Sequence, residues 1–154
     1  MSEIFVVLHN VSSVQKLLDF AKLAFNLEIK YVIVTKIGGV AAQAGVADAS
    51  KLAYKLNKSF IVLPDLKDAI ELFSPDAIIL ISQQADKVFS PSTIANKKRV
   101  MLIFSGTESG FSKIEQSLGD VYKLPVFKGE VPPVASLAVI SYMLSGEEFK
   151  KDQS

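Results

Sequence analysis

Six apolar runs of strand length, Ile4 to Leu8, Tyr31 to Thr35, Phe60 to Leu63, Ala77 to Ile81, Val100 to Phe104 and Val121 to Leu124, alternate with stretches of helical periodicity. Nothing else in the chain constrains its fold as strongly. The runs are continuous in Val, Ile, Leu and Phe with little polar alternation, the pattern of strands buried on both sheet faces. Strands separated by helices need crossover connections and therefore form a parallel sheet. The expected architecture is α/β, a mainly parallel sheet covered by helices on both faces. Helices are predicted at Val14 to Phe25, Val40 to Leu56, Leu66 to Leu72, around Ala85 to Ala95, at Phe111 to Leu118 and at Ser136 to Leu144. Leu17, Leu18, Ala21, Ala24 and Phe25 make the buried stripe of the first. Ser12 or Ser13 is placed to cap it, and Gly119 to end the fifth.

Composition narrows the chemistry. At 154 residues with 49% hydrophobic and 21% charged residues, the chain reads as one globular domain over 1–146 with a polar tail over 147–154 that frays from the last helix. No apolar run approaches the roughly 20 residues of a membrane span, and the start Met1-Ser2-Glu3 shows no export signal, which predicts a cytoplasmic protein. Cysteine is absent, excluding disulfides and thiolate chemistry, and the single histidine, His9, gives no cluster for a transition metal. A net charge of +1 supplies no bulk attraction to nucleic acid, so RNA binding would need a local patch.

Three stretches carry the functional signal. The first, His9-Asn10-Val11-Ser12-Ser13-Val14-Gln15-Lys16-Leu17-Leu18-Asp19, leaves strand one and opens helix one. In the second, Phe104-Ser105-Gly106-Thr107-Glu108-Ser109-Gly110-Phe111-Ser112, a strand runs into a glycine-rich turn whose exposed amides can hold a polar ligand. Taken alone, such a turn is usually only a strand-to-helix connection. The third runs from Leu124-Pro125 through Gly129 and Pro132-Pro133 to Ser136-Leu137-Ala138-Val139; by itself it reads as a proline-rich loop before a buried helix. His9 ends strand one at the edge where open α/β sheets place ligands, although a lone histidine beside Asn10 is ordinarily a hydrogen-bonding loop residue. Gly38-Gly39 suggests a phosphate-binding turn but matches neither Gly-x-Gly-x-x-Gly nor a P-loop. Asn96-Lys97-Lys98-Arg99 is a compact basic run, a solvated loop by default and a phosphate contact otherwise.

In this order the three stretches resemble the SpoU branch of the SPOUT methyltransferases. The resemblance spans nearly the whole chain and implies a C-terminal trefoil knot, which periodicity would never suggest because knots are rare. It further implies binding of S-adenosylmethionine, action on tRNA or rRNA, and a homodimer formed through the knot helices. Cofactor contacts carried over by position are Ile81, Ser105, Gly106, Glu108, Leu124, Val126, Gly129, Ser136 and Leu137. Two positions depart from the pattern: Asp19 stands where the family has an arginine, and Ala138 where it has an asparagine. A carboxylate cannot take over from a guanidinium. The general base is therefore open among His9, Asn10, Glu108 and a residue of a partner subunit. The alternatives are an inactive knotted relative that binds RNA or the cofactor, and an unknotted flavodoxin-like nucleotide-binding domain using Gly38-Gly39.

Overall fold

The computed structural model describes residues 2–153, with the side chains of residues 42 and 147–153 outside that description. Seven strands form one sheet: β1 (Glu3–His9), β2 (Tyr31–Thr35), β3 (Ser59–Leu63), β4 (Ala77–Ile81), β5 (Lys87–Val88), β6 (Arg99–Ser105) and β7 (Asp120–Lys123). Their order is β3-β2-β1-β6-β4-β7-β5, and every pairing is parallel. The fold class is α/β, as the continuous apolar runs require.

Alternate residues of the central strands feed two cores. Val6, Leu8, Leu102 and Phe104 pack with Leu17, Phe20, Ala21 and Ala24 of α1 (Val14–Phe25) and with Leu137 and Ile140 of α5 (Pro133–Gln153). Phe5, Val7, Met101 and Ile103 face the opposite way, onto Leu66 and Ala69 of α3 (Leu66–Phe73) and onto Phe111. Each fully buried Leu or Phe contributes roughly 1.5–3 kcal/mol, so these two layers dominate stability. α2 (Val46–Lys55) follows a π-helical turn at Ala41–Gly45, and α4 (Lys113–Gln116) is a single turn. Gly45 lets this region close on α1, since a Cβ there would lie 2.8 Å from Leu17 Cδ2. No helix among the described residues is long and apolar enough to cross a membrane.

Several expectations need correction. The helix around Ala85 to Ala95 is replaced by β5 and a 3₁₀ turn at Pro91–Ile94, because the residue before Pro91 is driven to extended backbone, Ser90 having φ −141° and ψ 165°. The fifth helix shrinks to α4, and Gly119 matters for close approach instead of capping: a Cβ there would lie 2.5 Å from the Ile78 carbonyl oxygen. The last helix begins earlier, at Pro133, where proline suits the first turn, and extends to Gln153. Ser13, not Ser12, caps α1, its hydroxyl accepting from the Lys16 amide.

The strand order gives the C-terminal half its character. β7 lies between β4 and β5, so the connection from β4 to β6 runs out past β7, forms the sheet edge as β5 and returns to β6 by way of the 3₁₀ turn. From β7, residues 124–132 recross the carboxyl edge to α5, which packs on α1, β6 and the 3₁₀ turn.

Candidate functional site

At the carboxyl edge of the sheet the strand-ending loops are stitched to one another through their backbones. Asn10 and Lys36 turn the chain out of β1 and β2 with φ of 64° and 50°. The Gly106 amide donates to the His9 carbonyl at 2.7 Å, the Asn10 amide to the Thr35 carbonyl at 2.9 Å, and the Gly38 amide to the Val11 carbonyl at 3.0 Å. Gly106 sits so close to the first loop that a Cβ would lie 2.6 Å from the Asn10 carbonyl oxygen and 2.8 Å from Val11 Cβ. Only glycine fits there.

Gln83, just after β4, fastens the returning C-terminal segment. Its side-chain amide donates to the Leu124 and Phe127 carbonyls at 3.1 and 3.2 Å, while its oxygen accepts from the Leu124 amide at 2.9 Å. Farther along, the Glu130 carboxylate accepts from the Gln83 amide at 2.8 Å and the Ser82 hydroxyl at 3.2 Å. These bonds hold residues 124–130 against the end of β4.

Between this segment, the β6 turn and α1 lies a cavity of about 340 Å³, within the size of small-molecule sites. Ile81, Ser105, Glu108 and Ser136, four of the positions named through the resemblance, line it together with Lys16, Phe104, Thr107, Glu130 and Val131 to Pro133. Of the other five, Gly106 packs under the turn, Leu124 and Leu137 have side chains buried in the core, Val126 is exposed and Gly129 stands in open space. Lys16 is the residue that sequence reasoning passed over. Attention went to Asp19, one turn on, whose carboxylate instead accepts from Gln15 on the helix surface.

His9 is not brought to the cavity. Its ring points to the opposite face of the sheet and is 1% exposed, with Nδ1 2.7 Å from Thr35 Oγ1 and Nε2 2.6 Å from Glu115 Oε2. Of the candidate bases, Glu108 lines the cavity, whereas Asn10 serves in the turn against Gly106. For Glu115, burial is the largest single influence and opposes ionisation. The Ser112 amide, the His9 ring and Lys36 together outweigh it and hold the carboxyl below its ordinary value of 4.5. At the amino edge, the Lys98 and Arg99 amides hold Asp76 below 3.8.

Both folded values are depressed, so their stabilisation is complete above the ordinary values and is lost as pH falls through the lower folded ones. Thermal unfolding should therefore occur at falling temperature as the pH drops below about 4.5. The Glu115→Gln variant should show a shallower decline; an identical profile would remove Glu115 from this explanation.

Two further features settle into structural roles. The basic run Asn96 to Arg99 lies at the amino edge, away from the cavity, where the Arg99 guanidinium donates to the Phe73 carbonyl and stands 4.8 Å from the Phe5 ring centre. Gly38 commits its amide to Val11, and Gly39 takes a φ of 57° against Ser12.

Comparison with known proteins separates fold from sequence kinship. Among solved structures, a protein of Haemophilus influenzae described as a probable methylase family protein superposes with a TM-score of 0.77 at 14% identity, covering 99% of this chain and 67% of that one. The SpoU methyltransferase AviRb of Streptomyces viridochromogenes, in complex with the cofactor AdoMet, gives 0.73 at 12%, covering 97% and 59%. At such identities the likeness is one of fold. In sequence, a protein of Aeropyrum pernix provisionally named type II restriction enzyme ApeKORF2002P is 39% identical over 144 residues, 92% of each chain. A family model described as RecB-family nuclease (DUF2122) matches residues 39–143. By sequence, then, the chain belongs to the DUF2122 family, and it carries the fold of SpoU methyltransferases.

Proposed function

We propose that the cavity binds S-adenosylmethionine and that the protein transfers its methyl group to an RNA, either tRNA or rRNA. One observation carries this reading: three segments far apart in sequence, represented by Lys16, by Ser105 to Glu108 and by Glu130 to Ser136, meet around one cavity on a fold shared with SpoU methyltransferases. The lining charge suits the ligand. Lys16, Glu108 and Glu130 line the cavity, one positive group and two negative ones, and a sulfonium amino acid carries one net positive charge. When bound, the cofactor would supply an activated methyl group to an acceptor oxygen or nitrogen, which would give up a proton in exchange. Alignment of the reactants is the protein's main contribution, with Glu108 the lining carboxylate available to take that proton.

The crossover of residues 124–132 is read as the trefoil knot, supported by the position of β7 inside the β4–β6 connection and by the Gln83 clamp. A homodimer through α5, in a cytoplasmic setting, belongs to the same reading; Ala138 and Tyr142 are exposed on that helix. Asp19 and Ala138 favour a second reading, a knotted relative that binds cofactor or RNA without transfer.

The description of the family as a RecB-family nuclease and the name of the Aeropyrum relative as a type II restriction enzyme suggest cleavage of DNA instead. A magnesium ion in such a reaction is held by one or two carboxylates together with the substrate's phosphates. Among the described residues no group of three or more His, Asp or Glu is placed to hold an ion, and the carboxylates that line the cavity are Glu108 and Glu130.

Incubation with methyl-labelled S-adenosylmethionine and bulk tRNA or rRNA should transfer label to RNA, while DNA with magnesium should stay intact. Fragmented DNA with unlabelled RNA would overturn the proposal.

A further inference from the structure

Lys16 is a half-buried cation that, among the described residues, has no partner of opposite charge within ion-pair distance. Its ammonium reaches only the Gly106 carbonyl oxygen, at 3.5 Å, the outer limit of a hydrogen bond. Among the described residues the ion pairs are His9 with Glu115, Lys87 with Asp120 and Arg99 with Glu3; none involves Lys16. Three N–H donors therefore face the cavity with one weak acceptor between them. The position is rigid for a lysine, because the backbone amide is capped by Ser13 and the next residue, Leu17, is fully buried. The first turn of α1, where Lys16 lies, contains no acidic residue, so the positive end of the helix adds to the local potential.

We infer that Lys16 is the anion-holding residue of the cavity and binds an oxyanion of the occupant, a carboxylate or a phosphate. This rests on the proposed cofactor site and deepens it. The two sources are the amino-acid carboxylate of the methyl donor and a backbone phosphate of the acceptor RNA. In the first case Glu108 or Glu130 faces the donor's ammonium while Lys16 holds its carboxylate, so the cavity reads both ends of the zwitterion. A lysine suits either task as a point charge.

The test compares wild type, Lys16→Met and Lys16→Arg by calorimetry with S-adenosylmethionine, with 5′-methylthioadenosine, which lacks the amino-acid portion, and with bulk tRNA over a range of salt. If Lys16 holds the donor carboxylate, Lys16→Met should weaken S-adenosylmethionine about tenfold or more, leave methylthioadenosine unchanged and be rescued by Lys16→Arg. If it holds an RNA phosphate, both small ligands should bind as in wild type, while tRNA weakens and its salt dependence falls by about one phosphate contact. Equal binding of all three ligands by wild type and a folded Lys16→Met variant would overturn the inference and leave the cofactor site standing. A wild-type protein that binds neither adenosyl ligand would overturn both.

Discussion

Replacing Gly106 with leucine should destroy ligand binding and lower stability by roughly 3 kcal/mol, at the upper end of the usual cost of overpacking. Even a methyl group at this position would come within 2.6 Å of the Asn10 carbonyl oxygen and 2.8 Å of Val11 Cβ. Neither is the free end of a flexible side chain, so the clash cannot be relieved by a rotamer change. The β6 turn would have to move away from the β1 loop, breaking the Gly106 amide bond to His9 and carrying Ser105, Thr107 and Glu108 out of the cavity wall. Gly146→Ala is the control: a Cβ there meets nothing within 4 Å, and its helical setting makes alanine neutral or mildly stabilising. Thermal unfolding and a ligand titration on both variants check the contrast. A Gly106→Leu protein that melts and binds like wild type would contradict the packing described here.

The second large effect is expected at Gln83. Gln83→Met keeps the side chain's length but removes one acceptor and two donors, leaving the Leu124 amide and two carbonyls without their partners. Leu124 is 1% exposed, so water cannot readily replace what is lost. Unmet buried polar groups cost about 1–3 kcal/mol each, and roughly 3 kcal/mol in total would lower the melting temperature by about 10 °C in a chain of this size. Loss of Glu130 should cost less, since that carboxylate is exposed and its bonds compete with water. Hydrogen exchange gives the sharper test: in Gln83→Met the amides of residues 124–130 should exchange faster while those of β1 and β6 keep their protection. Uniform protection across both segments would mean that Gln83 does not fasten the crossover.

How much of this was legible beforehand follows from where each signal lies. β1, β4 and β6 were readable because burial on both faces removes the polar alternation that blurs strand boundaries. β5 was not, being two exposed residues that pair only with β7. The strand order, with β7 between β4 and β5, depends on contacts remote in sequence and was not legible there. Ser105, Glu108 and Ser136, which line the cavity, were named through the family resemblance of the turns that hold them. Lys16 was missed because nothing separates a cavity-facing lysine from a solvated one in an amphipathic helix until the neighbouring segment is placed. His9 misled for the reverse reason. Its position at the end of β1 is right for a ligand edge, but strand alternation turns its ring to the other face, onto Phe111 and Glu115.

The two kinds of kinship also follow from where constraint falls. Fold persists when core apolar character is kept, even at 14% identity, whereas a name attached to relatives says nothing about which residues meet in space. What meets here is one ammonium, two carboxylates, hydroxyls and backbone around a small cavity.

Isothermal titration of the wild-type protein with S-adenosylmethionine probes the site most directly. Saturable binding in the micromolar range, lost in Gly106→Leu, is the expected result. Absence of heat and of thermal protection at millimolar ligand, from a protein shown to be folded, would contradict it.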